Sequence, residues 1–197
     1  MDVVLRHSLR VVVVGTTCCG KTTFARRLAR ALGAPHIELD ALYWLPDWTP
    51  RDESQFRSLV CAALAGERWV IDGNYGRLQD LIFGRATTLI WLNYSFPRVL
   101  FRGLTRTIRR VLTGEAVYAE NRESFRRAFL SQDSILWWLI TTHHRRRKRY
   151  RRIFAEATYP DVEKLEFRRP SMAEEYLHNV ENAPPDLGVE PGRILGS

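Results

Sequence analysis

Four consecutive valines, Val11 to Val14, run directly into Gly15-Thr16-Thr17-Cys18-Cys19-Gly20-Lys21-Thr22-Thr23, a match to the phosphate-binding loop pattern G-x-x-x-x-G-K-T. Such a loop works only between a strand and a helix, so the match constrains its surroundings as well as itself. Both flanks are legible. The β-branched run reads as a buried strand, and Phe24, Ala25, Leu28, Ala29 and Leu32 recur at helical spacing. Backbone N–H groups at a helix start collect partial positive charge and can wrap a phosphate. Gly15, Thr16, Thr17, Cys18, Cys19 and Gly20 then cradle the phosphates, Lys21 reaches the β- and γ-phosphates, and the Thr22 hydroxyl holds Mg²⁺. ATP and Mg²⁺ are the expected cofactors. A glycine-rich turn with a solvent lysine would leave the ordering of glycine, lysine and threonine unexplained.

The rest of the 197-residue chain alternates strand and helix signals. Strands are expected at Val11–Val14, His36–Asp40, Trp69–Asp72, Thr88–Leu92 and Val162–Phe167. Helices are expected at Lys21–Leu32, Asp52–Ala65, a short piece around Arg77–Phe83, a long one from Pro97 to Thr113, segments from Asp133 to Ala157, and one from Ser171 to about Val180. Alternation of this kind predicts an α/β domain with a parallel sheet covered on both faces. One P-loop domain over residues 1–180 fits the length, with a lid at about 113–131 and a disordered Pro- and Gly-rich tail at 181–197.

Ligands of such sheets bind beyond the carboxyl ends of the strands, which selects the residues to weigh. Asp72 closes an apolar strand, where a second carboxylate meets the metal directly or through water; Asp-Gly is also a strong turn pair. Asp40 faces the same crevice, either to orient or deprotonate an acceptor hydroxyl or to cap the following turn. Tyr43, Trp44 and Trp48 lie in a proline-interrupted loop, readable as a stacking wall for a flat or sugar-like acceptor or as core; Asn74 and Tyr75 follow Asp72 into the same region. Arg102, Arg106, Arg109 and Arg110 precede the lid, and Arg122, Arg126 and Arg127 lie in or after it. Phosphoryl transfer needs positive charge on the migrating group, and Arg106 and Arg110 are the catalytic candidates.

The net charge of +8 is concentrated in His143–Arg152. That run, Arg145–Arg152 above all, reads as a nucleic-acid patch or as a solvated helix face whose arginines close over phosphates; the second reading is favoured, since no regular pattern of aromatics is set among the cations to stack bases. Three cysteines supply neither a disulfide framework nor a zinc spacing. Cys18, ahead of a helix start, is either oxidation-sensitive or an inert small residue. No stretch is apolar enough to span a membrane and no leader pattern opens the chain, so no membrane partner and a cytoplasmic location are expected. The leading expectation is an ATP-dependent kinase whose partner is a small-molecule phosphate acceptor; the alternatives are a nucleotide-dependent regulatory or nucleic-acid-binding protein and a polynucleotide end kinase.

Three blocks resemble a known family. Gly20-Lys21-Thr22-Thr23, Leu39-Asp40-Ala41-Leu42-Tyr43-Trp44 with Pro46 and Trp48, and Trp69-Val70-Ile71-Asp72-Gly73-Asn74-Tyr75 are similar to the adenylate-kinase-related topology modulation (FlaR-like) proteins, over roughly residues 10–180. The resemblance implies a three-layer, nucleoside-monophosphate-kinase-like fold with strand order 2-3-1-4-5. It also implies ATP and Mg²⁺ at Gly15, Gly20, Lys21, Thr22 and Thr23, and an adenine held between Arg110 and Pro170. Asp72-Gly73 looks like the start of the adenylate kinase pattern D-G-F-P-R. This chain continues Asn74-Tyr75-Gly76-Arg77, so the arginine that grips AMP there is displaced by one position. Cys18 stands where such kinases carry a third glycine.

Overall fold

Val11–Val14 is buried on both sides, and that sets the architecture. Val11 and Val13 enter one core with Phe24, Leu28, Val70, Ile90, Phe167 and Tyr176, while Val12 and Val14 enter another with Phe56, Val60, Trp69, Ile71, Leu89 and Trp91. A strand with two apolar faces must sit in the middle of a sheet covered by helices on both sides. The computed structural model describes residues 9–113, 135–156 and 158–182. In it β1 (Leu9–Gly15) is the central strand of a five-stranded parallel sheet, flanked by β3 (Arg68–Asp72) and β4 (Thr88–Leu92). The edges are β2 (His36–Glu38), paired to β3, and β5 (Glu163–Phe167), paired to β4. The order is 2-3-1-4-5, as the resemblance implied.

Seven helices among the described residues cover the sheet: α1 (Lys21–Ala31), α2 (Leu39–Tyr43), α3 (Glu53–Ala63), α4 (Gln79–Phe83), α5 (Phe96–Thr113), α6 (Ile135–Ala155) and α7 (Pro170–Glu181). α1 and α7 pack on one face and α3 and α4 on the other. α6 does something different. Leu139 near its start belongs to the first core, and Tyr150 and Ile153 near its end belong to the second. Those eleven residues climb about 16 Å along the helix, so α6 crosses the carboxyl-terminal rim of the sheet from one face to the other. Its middle therefore lies above the loop that joins β1 to α1.

Several boundaries differ from expectation, each for a local reason. β2 ends at Glu38, because β3 offers no partner beyond Asp72, the residue that Glu38 faces. Leu39 and Asp40 instead open α2, so Asp40 stands on a helical first turn and not at a strand end. Within the Trp-rich loop, Pro46–Trp48 forms one 3-10 turn with Asp47 and Trp48 in left-handed backbone. α3 starts at Glu53 because the Asp52 carboxylate caps it, accepting from the N–H groups of Ser54 (2.9 Å) and Gln55 (3.2 Å). Of the lid only Thr113 is described, as the last residue of α5; residues 114–134 lie outside the described residues, and so does the tail beyond Asn182. No described helix is long and apolar enough to cross a membrane.

His143, on the inward side of α6, is buried, with Nδ1 lacking a partner and Nε2 in a long 3.5 Å contact with the Tyr94 carbonyl. Burial holds its pKa below the usual imidazole value, helped by the neighbouring His144 and Arg147 charges and opposed by the Tyr94 contact. The folded chain thus keeps His143 neutral where the unfolded chain takes up a proton, so stability falls as pH drops below about 6.5. We expect thermal melts to fall between pH 7.5 and 5.5, and to fall less in His143→Phe. Equal slopes in parent and variant would assign the loss to other groups.

Candidate phosphate-transfer site

The loop after β1 is built to present bare amides. Gly20 precedes α1 in left-handed backbone (φ 95°), and no side chain caps the helix or places an acid in its first turn. The four orphan N–H groups of a helix start otherwise demand an acceptor, and an anion fits that demand. Gly15 has no room for a side chain: a Cβ there would come within 2.7 Å of Cys19 Sγ and 2.9 Å of the Leu92 carbonyl oxygen. The turn is closed by the Cys19 N–H donating to the Thr16 carbonyl at 3.3 Å, and Lys21 Nζ donates to the same oxygen at 3.3 Å. Cys18 adopts φ 63°, a conformation that costs a non-glycine residue about 1–2 kcal/mol. Burial raises the Cys19 thiol pKa, opposed by Lys21, which keeps that sulfur protonated in the wall of the loop.

At the mouth of the loop the Thr22 hydroxyl donates to Asp72 Oδ2 at 2.7 Å. Sheet register explains the meeting: Asp72 lies beside Val13 on the adjacent strand, two residues before the loop begins. Asp72 is buried, and its second oxygen, Oδ1, is paired with His36 Nε2 at 2.8 Å. No described group of three or more His, Cys, Asp or Glu could hold a metal ion as a cage. Mg²⁺ asks for less: it binds through one or two protein oxygens, with phosphate oxygens and water completing the shell. Thr22 and Asp72 are hard oxygen donors set together beside bare amides, and they fit that requirement. Thr23, next on α1, is exposed.

On the β2–β3 side the structure gathers the expected acceptor residues. Tyr75 donates its hydroxyl to Asp40 Oδ1 at 2.6 Å. Tyr43 packs against Trp44 and Tyr75, with ring centroids 4.9 Å away in each case, and against buried Phe56 at 5.1 Å; Trp48 continues the cluster from Trp44 at 5.7 Å. Tyr43, Trp44 and Tyr75 are each half-buried, so one cluster forms both core and wall. Asn74 is spent on architecture: its amide donates to the Gly15 carbonyl at 2.8 Å and its oxygen accepts from Tyr150 at 2.8 Å. Tyr150 is buried, and its pKa is pushed up to about 12 by that burial.

The helices α5 and α6 bring arginines to the loop. Arg102 Nη1 donates to the Cys19 carbonyl at 3.3 Å, and its guanidinium lies 3.4 Å from where a Gly20 Cβ would stand. Arg146 Nη1 donates to Thr17 Oγ1 at 3.3 Å. Burial lowers the Arg146 pKa, while Tyr150 and Asp40 pull it back up. Arg147 Nε donates to Asn93 at 2.8 Å, Arg149 donates to Gln79, and Arg152 pairs with Glu156 at 2.5 Å. Arg106 and Arg110 sit one turn apart farther along α5, both half-buried. Pro170 opens α7 just beyond β5.

No protein-family model and no curated protein matches the chain. Solved structures do. A shikimate kinase from Bacteroides thetaiotaomicron is 17% identical, with 88% of this chain and 96% of that one covered at a TM-score of 0.52. A shikimate kinase from Acinetobacter baumannii, in complex with shikimate, is 16% identical, covering 89% and 94% at 0.53. The chain shares the fold of these two proteins, a parallel sheet of order 2-3-1-4-5 between layers of helices.

Two residues that meet the loop or Asp72, His36 and Arg146, were not singled out from sequence, and Arg102 was weighed only as one of several arginines ahead of the lid. The signal for Arg146 was present, because Leu139, His143, Arg146, Tyr150 and Ile153 recur at three- and four-residue steps and mark the inward stripe of α6. His36 left no such signal. We expect Lys21→Ala and Thr22→Ala each to weaken Mg–ATP binding at least roughly tenfold while melting within a few degrees of the parent, since both side chains serve the ligand. Unchanged affinity by calorimetry in both variants would remove the loop from the site.

Proposed function

We propose that the chain is an ATP- and Mg²⁺-dependent kinase that transfers the γ-phosphoryl group to a hydroxyl of a small molecule, nucleoside- or nucleotide-like in size and shape. On the resemblance of its three sequence blocks we place it with the topology modulation proteins. The observation that carries the reading is the 2.7 Å Thr22–Asp72 pair beside an uncapped helix start. In this reading the loop amides and Lys21 hold the β- and γ-phosphates, and Thr22 and Asp72 hold Mg²⁺, which screens phosphate charge. Asp40, steadied by Tyr75, receives the acceptor hydroxyl and can take its proton; Tyr43 and Trp44 form the wall beside it. Arg102 and Arg146 stand at the loop, and Arg106 and Arg110 are the candidates to follow the migrating group. For the adenine we retain Arg110 and Pro170. What the kinase-like fold supports is the reaction class; the acceptor's size is inferred from the aromatic wall.

The rival reading assigns Arg145–Arg152 to nucleic acid. Four cations of that run already have protein partners, and one of them reaches the phosphate loop itself. The kinase reading accounts for those contacts and we favour it. A screen for acceptor-stimulated ADP formation and thermal shift across nucleosides, nucleotides, sugars, hydroxy acids and oligonucleotides separates the two. We expect stimulation by a small molecule. Oligonucleotide binding should be weak at about 150 mM salt; sub-micromolar affinity there, falling steeply with salt, would reverse the ranking.

Asp72→Asn should keep nucleotide affinity within a few fold and lose about 3 kcal/mol of transition-state stabilisation, roughly a hundredfold in kcat. A rate equal to the parent's at saturating Mg²⁺ would make Asp72 a turn residue only.

A further inference from the structure

Asp72 is buried with both carboxylate oxygens engaged, one by Thr22 and one by His36. The Thr22 contact belongs to the phosphate site. The His36 contact is unexplained by the loop, because His36 lies on the far side of β3, at the start of the edge strand. We propose that His36 is a positioning residue for the metal-side carboxylate, fixing Asp72 so that the Thr22 hydroxyl presents its free lone pairs to the phosphate crevice. This rests on the Mg–ATP reading above.

The geometry supports it in three steps. An aspartate's terminal torsion is broad and roughly two-fold, so one hydrogen bond leaves the carboxylate free to swing. A second donor at Oδ1 removes that freedom, and Nε2 of His36 supplies it at 2.8 Å. With Oδ2 then fixed, the single Thr22 hydroxyl proton is committed to Asp72 at 2.7 Å, and only its acceptor lone pairs remain for a cation. His36 is itself held by the β2–β3 pairing, where it faces Val70 and Glu38 faces Asp72, and Glu38 is tied to α1 through Arg26 at 3.6 Å. The chain β2–Asp72–Thr22 thus links an edge strand to the first turn of α1. Partners that orient a metal-side ligand typically change metal affinity by ten- to a hundredfold.

The test titrates MgCl2 into complexes with a non-hydrolysable ATP analogue, read by calorimetry, for the parent, His36→Leu and His36→Gln. The glutamine amide can place a donor where Nε2 stands; leucine cannot. We expect His36→Leu to raise the half-saturating Mg²⁺ concentration about tenfold and to leave Mg-free nucleotide affinity unchanged within twofold. His36→Gln should stay within threefold of the parent. If His36→Leu does not fold, His36→Asn, too short to reach Asp72, takes its place with the same expectation. An unchanged Mg²⁺ dependence in the donor-less variant would overturn the proposal, as would a glutamine variant no better than leucine, or a matching loss of Mg-free affinity. A parent that binds the analogue without any Mg²⁺ dependence would instead overturn the kinase reading on which this one stands.

Discussion

The bare amides at the start of α1 are the constraint around which the rest of the crevice is arranged. A helix start left without a cap or an acid is unfavourable in isolation, and the chain holds it in place by rigid means. The valine strand packs into both cores and fixes where the loop begins. Gly15 admits the Cys19 sulfur and the Leu92 carbonyl against its backbone, and Asn74 ties the Gly15 carbonyl to the end of β3. Even Cys18, forced into left-handed backbone, belongs to this account: the loop tolerates local strain because its neighbours over-determine its path.

The second organising element is the crossing of α6. A helix confined to one face of the sheet could not bring Arg146 to Thr17 and Tyr150 to Asn74 together. Because α6 passes from the first core to the second, successive inward residues serve different tasks: Leu139 and Ile153 anchor its ends, while Arg146 and Tyr150 meet the loop between them. The basic run is therefore two populations on one helix. Arg145, Lys148 and Arg151 face solvent, whereas Arg146 and Arg147 turn toward the sheet's carboxyl ends.

How much of this was legible in sequence follows from the range of the interactions. The fold class was legible because burial on both faces writes itself into Val11–Val14 and Leu89–Leu92, and the alternation of strands with helices does the rest. The strand, loop and helix around Gly15–Thr23 were legible because their conformation depends on neighbours a few positions away. Asp40 was expected at the end of β2 and stands instead on the first turn of α2, since the end of β2 is decided by where β3 stops and not by any residue near Asp40. His36 was hidden for the same reason: its meeting with Asp72 depends on strand register between segments 36 residues apart. Tyr43 and Trp44, weighed as wall or core, proved to be half-buried members of a cluster that reaches Phe56, a mixture that composition could not resolve.

Charge gives the last step. α5 carries five arginines and α6 seven lysines and arginines, with no acidic residue on either described helix. Two of these, Arg102 and Arg146, converge with Lys21 on one small loop. Burial already weighs against the Arg146 charge, with Asp40 and Tyr150 compensating in part. Like charges held this close repel one another, more so where water is excluded. A polyphosphate seated on the loop would reverse that balance, satisfying the orphan amides and neutralising the guanidinium groups together. A ligand that binds only the folded form stabilises it by mass action. On the kinase reading, then, the nucleotide is both reactant and counterion, and the crevice trades intrinsic stability for affinity toward the group it transfers.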